Sequence, residues 1–301
     1  MNQSVIVYAS LSSLDVPHFL APTIRHAAEN TVDRLCTILV ADSLEGPWNH
    51  VQQLLAFVYV QATSVAQARD LPLMQIDVFL QHPDDPVPES SVPADVVFRV
   101  DGDAAPLPPP LAGISEQRIP RGVSPADRKS DGDACPSLPV VALGGTFDHL
   151  HAGHKILLSM AAWITTTKLI VGVTDDALLV HKANADVIEP LAQRIAAVRS
   201  FLTAFRPGLV YDIVPINDIY GPTAWDPNIQ GLVLSKETAA GGAAVAAHRA
   251  AHNLPPLEAF TIDVISATEP SLSDGDADLL KRTKMSSTAI REWIVARRKN
   301  S

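Results

Sequence analysis

The sequence predicts an α/β protein in two parts, a parallel sheet covered by helices in the C-terminal half and a smaller α/β domain before it. Three observations predict this. From Val140 onward, apolar runs too continuous for half-exposed strands alternate with amphipathic stretches, the pattern of a sheet buried on both faces. A shorter alternation of the same kind occupies residues 4–102. Between the two, proline and glycine are too dense for helix or sheet.

In chain order, the first part offers strands at 5–8, 35–40, 76–80 and 96–100, with helices at 22–32 and 48–69. They read as a domain over residues 1–102, without a phosphate loop or catalytic constellation to give it a role. Residues 103–138 carry Pro106, Pro108-Pro-Pro110, Ser124-Pro125 and Asp131-Gly-Asp133, with few large apolar side chains, and read as a flexible linker. Asp-Gly-Asp recurs at 274–276, but without the full spacing of a calcium loop these are turns. Residues 139–301 form the second domain. Its strands are expected at 140–143, 169–173, 210–216, 232–234 and 260–265, and its helices at 154–166, 190–204, 242–252 and 287–298. Such sheets bind ligands at the carboxyl ends of their strands.

A chain of 301 residues with 47% hydrophobic content can bury real cores. No apolar run approaches the ~20 residues of a membrane span, and the N-terminus lacks a signal-like layout, so a soluble, cytoplasmic protein is expected. Cys36 and Cys135 make neither a disulfide framework nor a thiolate site. A net charge of −10 disfavours nucleic acid as a partner, so anionic substrates need a local basic patch. One lies near the C-terminus at Lys281, Arg282, Lys284 and Arg291, ahead of a solvated tail at Arg297-Arg-Lys299.

The most informative stretch is Gly144-Gly145-Thr146-Phe147-Asp148-His149-Leu150-His151-Ala152-Gly153-His154. It follows an apolar run and precedes an amphipathic one, which makes it a strand, a glycine turn and a helix start. Backbone N–H groups there lack internal partners and lie at the positive end of the helix dipole, so an anion is stabilised twice over. Gly144 and Gly145 let the backbone approach a ligand, Thr146 adds a hydroxyl, and His151 and His154 can face one bound group. Asp148 is read as a cap of the turn. A rival chemistry is metal hydrolysis, since His149-Leu-His151-Ala-Gly-His154 differs by one residue from the HxHxDH site of metallo-β-lactamase-like hydrolases, Gly153 standing in place of the aspartate.

The second constellation is Lys284-Met-Ser-Ser-Thr-Ala-Ile-Arg291. Ser286 and Ser287 sit where a helix should start, and Ile290, Trp293 and Ile294 supply the stripe that packs it down. Hydroxyls and free N–H groups then form another anion cradle. Between the motifs stand His181-Lys182, Leu234-Ser-Lys236-Glu-Thr-Ala-Ala-Gly241-Gly242 and Arg249.

Taken together, these blocks resemble the eukaryotic type of phosphopantetheine adenylyltransferase, within the nucleotidyltransferase superfamily marked by (T/H)xGH and ISSTxxR-type motifs. The resemblance covers about residues 140–298. It implies a Rossmann-like nucleotidyltransferase domain that transfers AMP from ATP to 4′-phosphopantetheine in coenzyme A synthesis. It also implies catalytic roles for His154, Lys182 and Arg249. ATP and substrate contacts fall to Gly144, Gly145, Thr146, Phe147, His151, His154, Lys236, Ser286, Ser287, Thr288 and Arg291. Lys236 stands where bacterial members carry an arginine. Mg²⁺ is expected only through the ATP phosphates, with no protein metal site. No nucleic acid or membrane partner is implied, and association with other enzymes of coenzyme A synthesis is open. The GxxxxGK[ST] loop of the dephospho-coenzyme A kinase found in bifunctional relatives is missing from the sequence. Because the phosphate motifs do not identify the acceptor, another adenylyl- or cytidylyl-transferase is the alternative.

Overall fold

The computed structural model describes residues 1–123, 135–262 and 286–300, which belong to two compact units. Among the described residues no helix is long and apolar enough to cross a membrane.

The first unit runs β1 (Asn2–Leu11), α1 (Ala21–Glu29), β2 (Thr31–Ala41), α2 (Trp48–Ala68), β3 (Gln75–Gln81), β4 (Val96–Val100) and β5 (Ser115–Ile119). All ladders are parallel and the spatial order is β3-β2-β1-β4-β5. Val5, Ile6, Val7, Leu35, Leu39 and Val97 are fully buried, as expected for strands covered on both faces. The expected linker needs correction. Residues 103–119 belong to this unit, with Asp103 accepting hydrogen bonds from Ser10, Leu111 buried, and β5 laid along β4. An edge strand with one ladder partner requires no apolar run, and Ser-Glu-Gln-Arg-Ile is nearly all exposed, so periodicity could not reveal it. Residues 124–134 lie outside the described residues, as does the 274–276 turn.

The second unit comprises β6 (Leu138–Gly145), α3 (Ala152–Ile164), β7 (Thr165–Thr174), α4 (Leu191–Phe205), β8 (Val210–Ile216), β9 (Gly231–Ser235), α5 (Ala239–Ala251), β10 (Glu258–Ile262) and α6 (Ser287–Asn300). Its sheet is wholly parallel, ordered β10-β9-β6-β7-β8, so the chain reverses direction across the sheet between β6 and β9. Helix α3 stops where the β-branched run Thr165-Thr-Thr167 begins β7. Pro190 precedes α4, whose buried stripe is Arg194, Val198, Phe201, Leu202 and Phe205. The register partners Ala142, Ile170 and Leu232 share one face and pack with Val245 of α5. Parallel register puts Gly145, Thr174 and Ser235 at one edge of the sheet, next to the strand-order reversal where such folds bind ligands.

Candidate active site

The chain leaves β6 through a strained turn. Phe147 and His149 both have left-handed backbones, with φ of 52° and 44°, which costs non-glycine residues about 1–3 kcal/mol each. Burial holds them there: Phe147 is 0% exposed, and its ring lies against Gly145, where an added Cβ would come within 3.1 Å. Gly145 is therefore tightly packed against that ring. Gly144 is the exposed glycine of the pair, and a Cβ there would meet nothing nearer than 3.7 Å.

Asp148 is the hub of the turn. Its Oδ1 accepts the Glu189 N–H at 2.9 Å, its Oδ2 accepts from Arg291 at 2.8 Å, and its carbonyl accepts the Ser287 hydroxyl at 3.0 Å. These contacts fasten the start of α6 to the turn, so Asp148 is a buried tie between the two sequence motifs and not a cap of its own turn. Glu189 reciprocates by accepting the His149 N–H at 2.7 Å.

His151 is the N-cap residue of α3 with an extended backbone, and among the described residues no side chain caps that end, which leaves its backbone donors open. The rings of His151 and His154 stack at 3.9 Å, and Phe147 lies 5.4 Å from His154. Both Nδ1 atoms are sealed from solvent without a hydrogen-bond partner among the described residues. A sealed lone pair costs less than a sealed N–H, so the proton belongs on Nε2, leaving a neutral donor at that atom. Burial, with Lys155 adding repulsion, pushes His151 down to about 4. Burial, then His151 and Lys182, hold His154 well below the usual histidine value.

Lys182 reaches this cradle from the loop after β7, its Nζ donating to Thr146 Oγ1 at 3.0 Å. Burial lowers its pKa, and so does Arg291 beside it. Arg194, absent from the sequence reading, sets the frame. Fully buried, it donates to the carbonyls of Glu189, Thr146 and Thr174 at 2.7–2.9 Å and pairs with Asp176 at 2.6 Å. An arginine within the apolar stripe of α4 was the signal that could have found it.

The second motif arrives as a helix start. Ser286 Oγ accepts the Ala289 N–H at 3.3 Å, Ser287 is bound to the turn, and Thr288 is exposed and accepts from Arg291 at 3.2 Å. Lys284 lies outside the described residues. Arg291 is 2% exposed, and its guanidinium is engaged by Asp148, Thr288 and the Ala183 carbonyl. It is a strut of the cradle, not an open phosphate ligand as the sequence suggested. Lys236 directly follows β9, whose Val233 pairs with Leu143, so it leaves the sheet level with Thr146. Glu237, beside it, acts on His151 by its charge. Arg249, expected to be catalytic, faces inward: 1% exposed, it donates from Nε and Nη1 to the carbonyls of Pro255, Thr223 and Asp226 at 2.7–3.0 Å and ties α5 to its surrounding loops.

The three histidines of the hydrolase reading do not converge. His149 turns to the Val187 carbonyl at 2.9 Å, and the cluster it forms with Asp148 and Glu189 has its donor atoms committed to Val187, Arg291, Gln193 and backbone N–H groups. Those same commitments bear on Mg²⁺. An ion carried by phosphate oxygens and water would find the carboxylates of Asp148, Asp176 and Glu189 each already holding a partner.

Residues 142–241 match the family model described as cytidylyltransferase-like. The chain is 41% identical over 155 residues to a phosphopantetheine adenylyltransferase of Saccharomyces cerevisiae, covering 52% of this chain and 48% of that one. It is 35% identical to the phosphopantetheine adenylyltransferase of Pyrobaculum aerophilum, over 42% of this chain and 79% of the relative. With that of Methanopyrus kandleri the identity is 34%, over 48% of this chain and 87% of the relative. The match thus spans about half the length of the yeast relative but most of each archaeal one. The glycine turn and the stacked histidine pair lie within residues 142–241, and the chain belongs to the phosphopantetheine adenylyltransferase family of cytidylyltransferase-like proteins.

Proposed function

We propose that this protein transfers AMP from ATP to 4′-phosphopantetheine, giving 3′-dephospho-coenzyme A and pyrophosphate. The observation that carries the reading is the Lys182–Thr146 contact beside the stacked His151 and His154, at the open N-terminus of α3. Imidazole, ammonium, hydroxyl and backbone N–H groups converge there with no activated side-chain nucleophile among them, an assembly suited to anions that react with one another.

The acceptor phosphate is already anionic at neutral pH. One of its oxygens attacks the α-phosphorus of ATP, the bond from that phosphorus to the β-phosphate oxygen breaks, and pyrophosphate leaves with the electron pair. The protein's work is alignment and charge stabilisation. Lys182 supplies a mobile cation, His154 a neutral N–H donor, and Thr146 with the first turn of α3 the fixed donors. Lys236 approaches from β9, as a second cation. Mg²⁺, where bound by the phosphates, neutralises part of their charge. We assign the reaction to the cytoplasm, with ATP and 4′-phosphopantetheine as the partners this site requires.

Incubation with ATP and a panel of acceptors tests the reading: 4′-phosphopantetheine, nicotinamide mononucleotide, and phosphocholine with CTP. Pyrophosphate release is expected with ATP and 4′-phosphopantetheine alone. Release with another acceptor and none with this one would replace the substrate assignment. Tightly bound stoichiometric zinc with hydrolysis of ATP would revive the hydrolase reading.

A further inference from the structure

The first unit has the strand order of the second, β3-β2-β1-β4-β5 against β8-β7-β6-β9-β10, all parallel. The ladders fix how the two compare. β1 places Val5, Ile6 and Val7 against the first three residues of β4, as β6 places Val141, Ala142 and Leu143 against the first three of β9. Val5 also pairs with Leu35 of β2, as Val141 pairs with Leu169 of β7. With Val5 set on Val141, Ser10 falls on Thr146, the buried Leu11 on the buried Phe147, Leu14 on Leu150 and His18 on His154, without a gap.

We infer that residues 2–119 are a second unit of the nucleotidyltransferase fold whose phosphate cradle is filled by the chain's own carboxylate, Asp103, and which takes no nucleotide. Ser10 supplies the backbone N–H and hydroxyl that Thr146 supplies in the other unit. Asp103 takes both, the N–H at 2.9 Å and the hydroxyl at 2.8 Å, and adds the Ala105 N–H at 3.0 Å. Arg99, buried like Asp103, completes the set at 3.1 Å, while its Nε has no partner among the described residues. Hydroxyl, backbone N–H and guanidinium are the groups that recognise a phosphate, and here a tethered anion holds them.

Neighbouring substitutions close the rest of the cradle. Tyr8, buried, stands in place of Gly144, with the Arg99 guanidinium 5.9 Å from its ring centre. Pro17 replaces Gly153 and has no N–H, and a 3-10 turn, His18–Leu20, precedes α1 where the second unit starts α3 directly. Asp15 replaces His151 and pairs with His50 at 2.9 Å. His18 sits edge-on to Phe57 at 4.9 Å. A nucleotide phosphate would meet Asp15 and Asp103 where the second unit offers imidazoles and lysines.

Amide hydrogen exchange on the full chain tests this, because it reads each unit separately. The inference rests on the second unit being a nucleotidyltransferase, so ATP is added first. Exchange should slow over residues 144–155 and stay unchanged over residues 8–18; slowing over 8–18 would overturn the inference. Absence of slowing over 144–155 counts against the transfer reading instead, while the Asp103 arm still decides this one. In Asp103→Ala, the Ser10 amide should exchange about tenfold faster or more, and inorganic phosphate should restore its protection where chloride of equal ionic strength does not. Phosphate acting no better than chloride sinks the idea. Asp103→Asn, nearly isosteric, serves the same comparison if the alanine variant fails to fold.

Discussion

Asp148 Oδ2 and Arg291 Nη1 lie 2.8 Å apart, both side chains almost wholly buried, and they join two motifs separated by 143 residues of chain. Each group also holds other parts of the fold. Asp148 also anchors Glu189 and Ser287, and Arg291 also holds Thr288 and the Ala183 carbonyl. The pair therefore positions the cradle by fixing the start of α6 against a strained turn.

Removing one member of a buried ion pair leaves the other unpaired in a low dielectric, at a cost of about 3–5 kcal/mol. Arg291→Met should lower the urea midpoint accordingly, and Asp148→Asn should do much the same. Because both break one contact, the double variant should lose less than the two single losses combined. If Arg291→Met left the midpoint intact and raised only KM for ATP, Arg291 would be a phosphate ligand after all.

Lys182 presents the opposite case. It is exposed, and among the described residues its ammonium bonds only Thr146, so little folding energy depends on it. Lys182→Met should reduce kcat roughly 10²–10³-fold, by analogy with loss of one transition-state donor, while the unfolding midpoint stays put. Lys182→Arg should recover part of the rate. A loss of stability that tracks the loss of rate would recast Lys182 as structural.

The sheet, its helices and the cradle were legible because each depends on local signals: apolar runs, glycines at a turn, hydroxyls before a helix. The arginines were not. Arg249 and Arg291 carry the charge that phosphates need, yet folding turns both inward to satisfy backbone carbonyls, and residue type says nothing of which way a guanidinium faces. Arg194 lay in plain view on the apolar stripe of α4, where a charge has to find buried partners. β5 escaped because a five-residue polar edge strand has no period to detect.

The paired glycines should separate by experiment. At Gly145 a methyl group would press on the buried Phe147 ring at 3.1 Å, so Gly145→Ala should cost roughly 1–3 kcal/mol by overpacking. Gly144 is exposed and has room for a methyl group, so Gly144→Ala should leave the midpoint alone and raise KM for ATP by crowding the ligand. Thermal unfolding and steady-state kinetics on both variants check the contrast, and equal stability losses would contradict it.

The buried histidines make stability depend on pH. In the unfolded chain each titrates near 6.5, whereas the folded protein holds His151 at about 4 and His154 well below its ordinary value. The unfolded state thus binds more protons below pH 6.5. Their contribution is complete above that value and is lost as pH falls towards 4, by roughly 3 kcal/mol for His151 alone. Between pH 7 and pH 5, His151→Gln should therefore show a shallower fall in unfolding midpoint than the wild type. Parallel falls would show that carboxylates, not His151, govern the acid limb.

His154 decides between two routes for the chemistry. Its Nδ1 is sealed and its ring neutral, which favours donation from Nε2 to a phosphate oxygen. With its proton on Nδ1 instead, the same ring would present a lone pair at Nε2, take the adenylyl group and pass it on. The acceptor phosphate makes that detour unnecessary. His154→Ala should lower kcat by ~10²–10³-fold, but either route predicts that. Stereochemistry separates them: with ATP chiral at the α-phosphorus, one displacement inverts configuration and two restore it. Inversion in the dephospho-coenzyme A product is expected, with sequential kinetics. Net retention, or a nucleotidyl-His154 adduct trapped without acceptor, would replace alignment by covalent catalysis.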